Sequence, residues 1–304
     1  MNKIAVQTLG IASRLDLESG YRRIRDWGFD AVDANIHVVL SKGMVLRRDI
    51  PDVLVKGGKD CMDLFRPWGE AARQTGIENV QAHAPFPVWL PLLKEVNEKL
   101  IEVLKNTIRG CDLIGCRKLV IHPFYAGPAF RIARRIDLRR NLCNFAKLIP
   151  VAKEYGVMIC LENVFSRTFT KRLVVGGCGD PKVAARYVDD LNALAGEKLF
   201  GFCFDTGHAH VCRVDIKEAL ITLGERVEAL HIHDNNGISD QHYAPYMGSI
   251  NWNDFMEGLK AIRYKGPISF ETYNAINKIP ESLIDSEMRF VNECGRMFAQ
   301  RIWE

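Results

Sequence analysis

Four side chains in the second half of this 304-residue chain have the chemistry of metal ligands, and each closes an apolar run. Glu162 ends VMICLE, Asp205 ends LFGFCFD, His231 follows VEAL and Glu271 follows GPISF. Three carboxylates and one imidazole form a hard, oxygen-rich donor set for a divalent cation, suited to manganese, magnesium, cobalt or zinc. Without such an ion, three carboxylates in one cavity would repel one another strongly. Any one of these acids alone could equally be a solvated strand end or a helix cap. The four together carry the inference, because their separations of 43, 26 and 40 residues each match one strand, loop, helix and return loop. That repeat brings distant residues to one end of a barrel.

The elements that must position them can be read from alternation. Apolar strand signatures fall at about 3–9, 29–35, 77–83, 117–122, 157–162, 200–205, 227–233 and 267–271. Helical periods lie between them, such as NEKLIEVLKNTIRGCDLIG before the fourth strand and NLCNFAKLIPVAKEYG before the fifth, with Gly156 as its C-cap. Eight strand–helix units with right-handed crossovers predict an α/β fold, a (β/α)8 TIM barrel, in preference to an open doubly wound sheet. No GxGxxG follows the first strand, which removes the main argument for a dinucleotide fold. One domain over residues 1–304 is expected. Two segments, near 36–59 and 164–180, exceed ordinary connections and should be loops over the mouth of the site.

Composition narrows the function classes. A balance of 41 Lys plus Arg against 37 Asp plus Glu, net +4, gives no argument for a nucleic-acid partner. Nine cysteines with no CxxC pair, several inside apolar runs, read as reduced core residues of a cytoplasmic protein. The N-terminal apolar run is too short for a secretory signal, and no stretch nears the roughly 20 apolar residues of a membrane span.

More candidates stand at other strand ends: His83 in VQAHAPFP, His122 in LVIHPF, His208 after Asp205, and Asp240 with His242 after the seventh strand. Singly, each fits a substrate contact or a satisfied loop residue better than a ligand. Together they allow a second or third metal. Read in order, AHAPF, LVIHP, CLEN, FDTGH, LHIHDN with DQH, and SFE cover nearly the whole chain. On these motifs the sequence resembles the sugar phosphate isomerase/epimerase family of xylose-isomerase-like barrels. That superfamily also contains ketose 3-epimerases, hydroxypyruvate isomerase, inosose dehydratase and endonuclease IV-type apurinic endonucleases.

The resemblance implies that Glu162, Asp205, His231 and Glu271 hold one divalent ion, expected to be manganese, and that Glu162 and Glu271 also act as the acid/base pair. It selects His231 over His233, two residues on and on the same side of an extended strand. His83, His122, His208, Asp240 and His242 are implied to bind substrate. The implied reaction is isomerisation or epimerisation of a small carbohydrate by proton abstraction beside a carbonyl, through a metal-stabilised enediolate. A dehydratase or a C-glycoside-cleaving lyase would use the same site. A zinc-dependent, apurinic endonuclease-like phosphodiesterase would recruit the extra histidines and Asp240 as ligands. Such a nuclease needs a basic grip on phosphates, and the one dense basic run, FRIARRIDLRR with Arg131, Arg134, Arg135, Arg139 and Arg140, reads better as a solvated helix face or subunit contact. The expected partner is therefore a small carbohydrate, without membrane or nucleic acid, and a homo-oligomer is compatible.

Departures from the family pattern bear on substrate. The segment after Glu162 lacks the acid, and the one after His231 the arginine, that ketose 3-epimerases use to grip their sugar; Gly237 stands near the latter position. After DQH the chain reads YAPYMGSINW, keeping Gly248 of the usual Gly-acid-Gly turn. Trp89, Tyr243 and Tyr246 could wall the site, and Arg167, Lys171 and Arg172 could meet a substrate anion, although loop packing and solvation explain both groups equally well.

Overall fold

The computed structural model describes residues 2–12, 16–124 and 131–304, with side chains from 137 onward in the last segment. Ten strands occur among them: β1 Ile4–Gln7, β2 Ala31–Ala34, β3 Glu78–His83, β4 Lys118–Ile121, β5 Met158–Glu162, β6 Phe165–Arg167, β7 Leu173–Val175, β8 Phe200–Asp205, β9 Val227–His231 and β10 Ile268–Phe270. Eight of these form one parallel sheet in the order β10-β1-β2-β3-β4-β5-β8-β9. All eight strands expected from alternation are present. The two sheet edges meet through Ile232, which donates to the Ser269 carbonyl at 2.9 Å and accepts from the Glu271 amide at 2.9 Å. With those bonds the sheet closes into the (β/α)8 barrel.

Two cores support it. The larger fills the space between the strands and the surrounding helices, around buried rings such as Trp68, Phe145, Phe200 and Phe298. A small second cluster, Val120, Cys160, Cys203 and Ala229, packs separately. Val120 pairs with Cys160 and Cys203 with Ala229, while the two pairs are offset by two residues between β5 and β8. Small side chains suit the crowded barrel axis. All nine cysteines are free.

The first long connection is not an irregular loop. Residues 36–59 hold a 3-10 turn, Ile36–Val39, and short helices at Lys42–Arg47 and Asp52–Lys56, with another starting at Lys59. Ser41 caps Lys42–Arg47 by accepting from the Met44 amide, and Gly57 and Gly58 at φ 72° and 82° separate the later two. Pieces this short carry too few residues to display a helical period. The second, 164–180, is a β-hairpin in which β6 and β7 pair antiparallel. The helical pattern before β5 is split in two, Arg131–Ala146 and Ile149–Tyr155, the second ending on Gly156 at φ 60° as expected.

The final helix, Glu281–Trp303, crosses the seam between β1 and β10. Its Gly295 allows close contact: an added Cβ would stand 2.5 Å from Ile4 Cγ2 and 2.8 Å from the Phe270 ring. Gly295→Ala gains helix propensity of about 1 kcal/mol but overpacks two fully buried side chains at about 1–3 kcal/mol. A net fall in the urea midpoint is expected, and equilibrium unfolding checks it.

Candidate metal centre

The small axial cluster explains why the ligand candidates share a face. Side chains two apart on a strand point the same way, and each cluster member is followed two residues later by a site residue: Val120 by His122, Cys160 by Glu162, Cys203 by Asp205, Ala229 by His231. On the remaining strands the same step leads from Gln81 to His83 and from Ser269 to Glu271. The site is thus the uppermost inward layer of the barrel, at the C-terminal ends of its strands.

Glu162 is the hub. One carboxylate oxygen, Oε1, lies 3.0 Å from His231 Nδ1 and 3.6 Å from His208 Nδ1; the other lies 3.0 Å from His122 Nε2 and 3.6 Å from His83 Nε2. Glu271 reaches His231 Nδ1 at 3.6 Å. Asp205 serves twice, because it also caps the helix Thr206–Val211 by accepting from the His208 amide at 2.6 Å. Asn163 holds the ends of β5 and β8 together with two 2.8 Å bonds, donating to the Asp205 carbonyl and accepting from its amide.

The donor atoms fall into three groups, each with its atoms within 4.8 Å of one another: Glu162, Asp205, His231 and Glu271; His83, His122 and Glu162; and His208, His233, Asp240 and His242. The first is the quartet singled out by spacing. The other two contain all five residues read as substrate-binding, so those residues too are grouped closely enough to share an ion. His233 joins the third group rather than the first, with Nε2 3.1 Å from the Asp205 carboxylate and its ring stacked 3.9 Å from that of His242. An added Cβ at Gly207 would overlap the His233 ring, so this glycine admits the imidazole.

These residues fit a divalent cation. Glu162 Oε2 and Asp240 Oδ1 are buried without a hydrogen bond, although Oε2 is 3.0 Å from His122 Nε2. Close approach without hydrogen-bond alignment is what side chains aimed at a common point produce. Protons supply the balancing charge in the metal-free chain. Burial alone would raise the Glu162 carboxyl, but the charge of the neighbouring His231 outweighs it and holds it well below the usual range. Burial would lower His231 and His208, yet the acids around them raise both well above the ordinary value. An ion entering here displaces those protons.

A cavity of about 510 Å³ opens over the site. Glu162, Glu271, His83, His122, His208, Asp240 and His242 form its polar floor, while Phe86, Trp89, Val164, Phe165 and Tyr273 contribute an apolar wall. Of the three aromatics that could wall the site, Trp89 lines the cavity. Tyr246 does not line the cavity and packs instead near Trp252, with centroids 6.1 Å apart, and the Tyr243 hydroxyl accepts from Gln241. The 36–59 segment does reach the mouth, through His37 and Lys42. Arg140, from the basic run, pairs with Asp137 at 2.6 Å and lies 3.9 Å over Trp89, and Arg139 is exposed; the side chains of Arg131, Arg134 and Arg135 lie outside the described residues. Arg167 lies 5.7 Å over the Phe165 ring.

Sequence reasoning missed Asp33, His37 and Lys42. Asp33 is buried on β2 with Oδ2 3.0 Å from His231 Nε2; an acid inside an apolar strand, AVDA, was its available signal. Burial lowers His37 to about 3, keeping it neutral.

The family model described as xylose isomerase-like TIM barrel matches residues 21–294. The chain belongs to that family. Among curated members and relatives, the uncharacterized protein MJ1311 of Methanocaldococcus jannaschii is 29% identical over 219 residues, 70% of this chain and 71% of that one. A probable endonuclease 4 of Methanoculleus marisnigri is 28% identical over 206 residues, 62% and 69% respectively. Solved xylose isomerase-like barrels share the fold. A D-tagatose 3-epimerase-like protein superposes with a TM-score of 0.66 at 23% identity, covering 96% of this chain and 98% of that one. The 3-keto-D-glucoside 4-epimerase YcjR from E. coli superposes with a TM-score of 0.69 at 14% identity, covering 97% and 100%. No helix among the described residues is long and apolar enough to cross a membrane.

The titration pattern yields a prediction for the chelator-treated protein. His242, lowered by burial but raised more by the Glu271 charge and the Asp240 hydrogen bond, moves from 6.5 to about 9. A histidine raised on folding contributes stability that is complete below 6.5 and lost as pH climbs through 9. Stability should therefore decline across that window, and His242→Gln should flatten the decline, as urea unfolding at stepped pH will show.

Proposed function

We propose that this chain is a divalent-metal-dependent isomerase or epimerase of a small sugar or polyol, working by proton transfer at a carbon beside a carbonyl. The observation that carries the reading is that Glu162 and Glu271 both face the cavity while belonging to one donor quartet with Asp205 and His231. When bound, the ion supplies Lewis acidity to the carbonyl and neighbouring hydroxyl oxygens of the substrate; manganese remains the expected ion. One glutamate takes the proton from carbon. The other returns a proton to the opposite face, inverting the centre, or to the adjacent carbon, moving the carbonyl. His208, on the cavity floor and beside Asp240 at 3.6 Å, would hydrogen-bond a substrate oxygen as negative charge collects there. Loss of a leaving group after the same abstraction would make the enzyme a dehydratase or a C-glycoside-cleaving lyase.

A cavity of about 510 Å³ supports a small substrate, and Lys42 is its one lysine or arginine among the described lining residues. The epimerase names of two structural neighbours agree with the reading. A second reading, a zinc-dependent phosphodiesterase of the apurinic endonuclease type, is favoured by the three donor groups joined at Glu162 and by the probable endonuclease 4 relative.

Metal analysis separates the two. About one divalent ion per chain, with exchange of a substrate carbon-bound hydrogen into deuterated water, is the expected result for the isomerase. About three zinc ions with cleavage of an abasic duplex would replace it with the phosphodiesterase. For the isomerase, Glu271→Gln should keep the fold and lower the exchange rate by at least about 100-fold. Unchanged exchange, followed by NMR, would remove Glu271 from proton transfer.

A further inference from the structure

We propose that Asp33 is the positioning residue for His231, fixing the imidazole from its outer edge so that Nδ1 is presented to the metal quartet. This rests on the metal-binding reading above. The His231 ring is held at both nitrogens: Nδ1 is 3.0 Å from Glu162 Oε1, and Nε2 is 3.0 Å from Asp33 Oδ2. When Nε2–H donates to Asp33, the lone pair lies on Nδ1, the atom facing Glu162 and Glu271. That is the tautomer able to ligate, and a carboxylate on the outer nitrogen also makes the ligand more basic.

The carboxylate is itself held. Gln81 Nε2, on β3, donates to Asp33 Oδ2 at 2.7 Å and to the Leu230 carbonyl at 3.1 Å. One amide therefore gathers both the positioning acid and the backbone immediately before His231. Asp33, Gln81 and His231 are each no more than 1% exposed. In such a place water cannot substitute for a lost partner, so rotation of the ring would leave Asp33 Oδ2 with Gln81 alone and strip His231 Nε2 of its acceptor. The three residues link β2 and β3 to β9 across the barrel interior.

A polar bridge serving only the fold would also join these strands, so the test reads metal binding and stability separately. Chelator-stripped wild type, Asp33→Ala and Asp33→Asn are titrated with Mn2+ and with Zn2+ against a chelating dye, and thermal midpoints are recorded with and without metal. Asp33→Ala should lose about 10–100-fold in metal affinity and show a smaller metal-induced rise in midpoint. Asp33→Asn retains an oxygen acceptor at the same place and should fall between Asp33→Ala and wild type. Should Asp33→Ala fail to fold, Asp33→Asn alone decides, by reduced or by wild-type affinity. Wild-type affinity in the folded variants, with loss confined to the metal-free midpoint, would overturn the proposal. Wild type that takes up neither ion would overturn the metal-binding reading itself, and this inference with it.

Discussion

Charge balance at the upper end of the barrel is the constraint to which the rest answers. Glu162 and Asp205 are almost completely shielded from water, with Glu271 and Asp240 close by. Burying carboxylates is unfavourable by several kcal/mol each unless opposite charge is brought to them. The chain answers with six histidines within 4 Å of these acids, His83, His122, His208, His231, His233 and His242, of which His83, His208, His231 and His242 are raised above the ordinary imidazole value. Because each is a neutral metal ligand once deprotonated, the same groups serve a proton-filled and a metal-filled site. Protons and metal ions thus compete for one set of atoms.

That arrangement depends on the step of two along each strand. The small residues that fill the barrel axis fix which face of every strand looks inward, and the site occupies the next inward position on six strands. A slip of one residue in any strand would turn its ligand toward the helices. Closure at Ile232 and the Asn163 bonds to Asp205 secure the register on the side where the quartet assembles.

Much of this is legible in the sequence. Alternation revealed the eight strands, and the motifs at their ends revealed the nine candidate residues, because both signals are local. What stayed hidden depends on packing between distant segments. Asp33 reads as an ordinary acid until β2 lies across from His231. His37 and Lys42 sit in helices too short to announce themselves, and the β6–β7 hairpin offers only three paired residues a side. Tyr246 packs near Trp252 in a stretch where His242 and Tyr246 both take positive φ, a conformation that alternation does not signal.

Gly207 has a wider implication. The atom it lacks is occupied by the ring of His233, which in turn rests on His242. A descendant lineage that placed any side chain at 207 would have to shrink or move residue 233 in the same step, which would unseat the imidazole stacked against it. The second residue of TGH and the second histidine of HIH are therefore one unit of variation, and they should drift together or not at all.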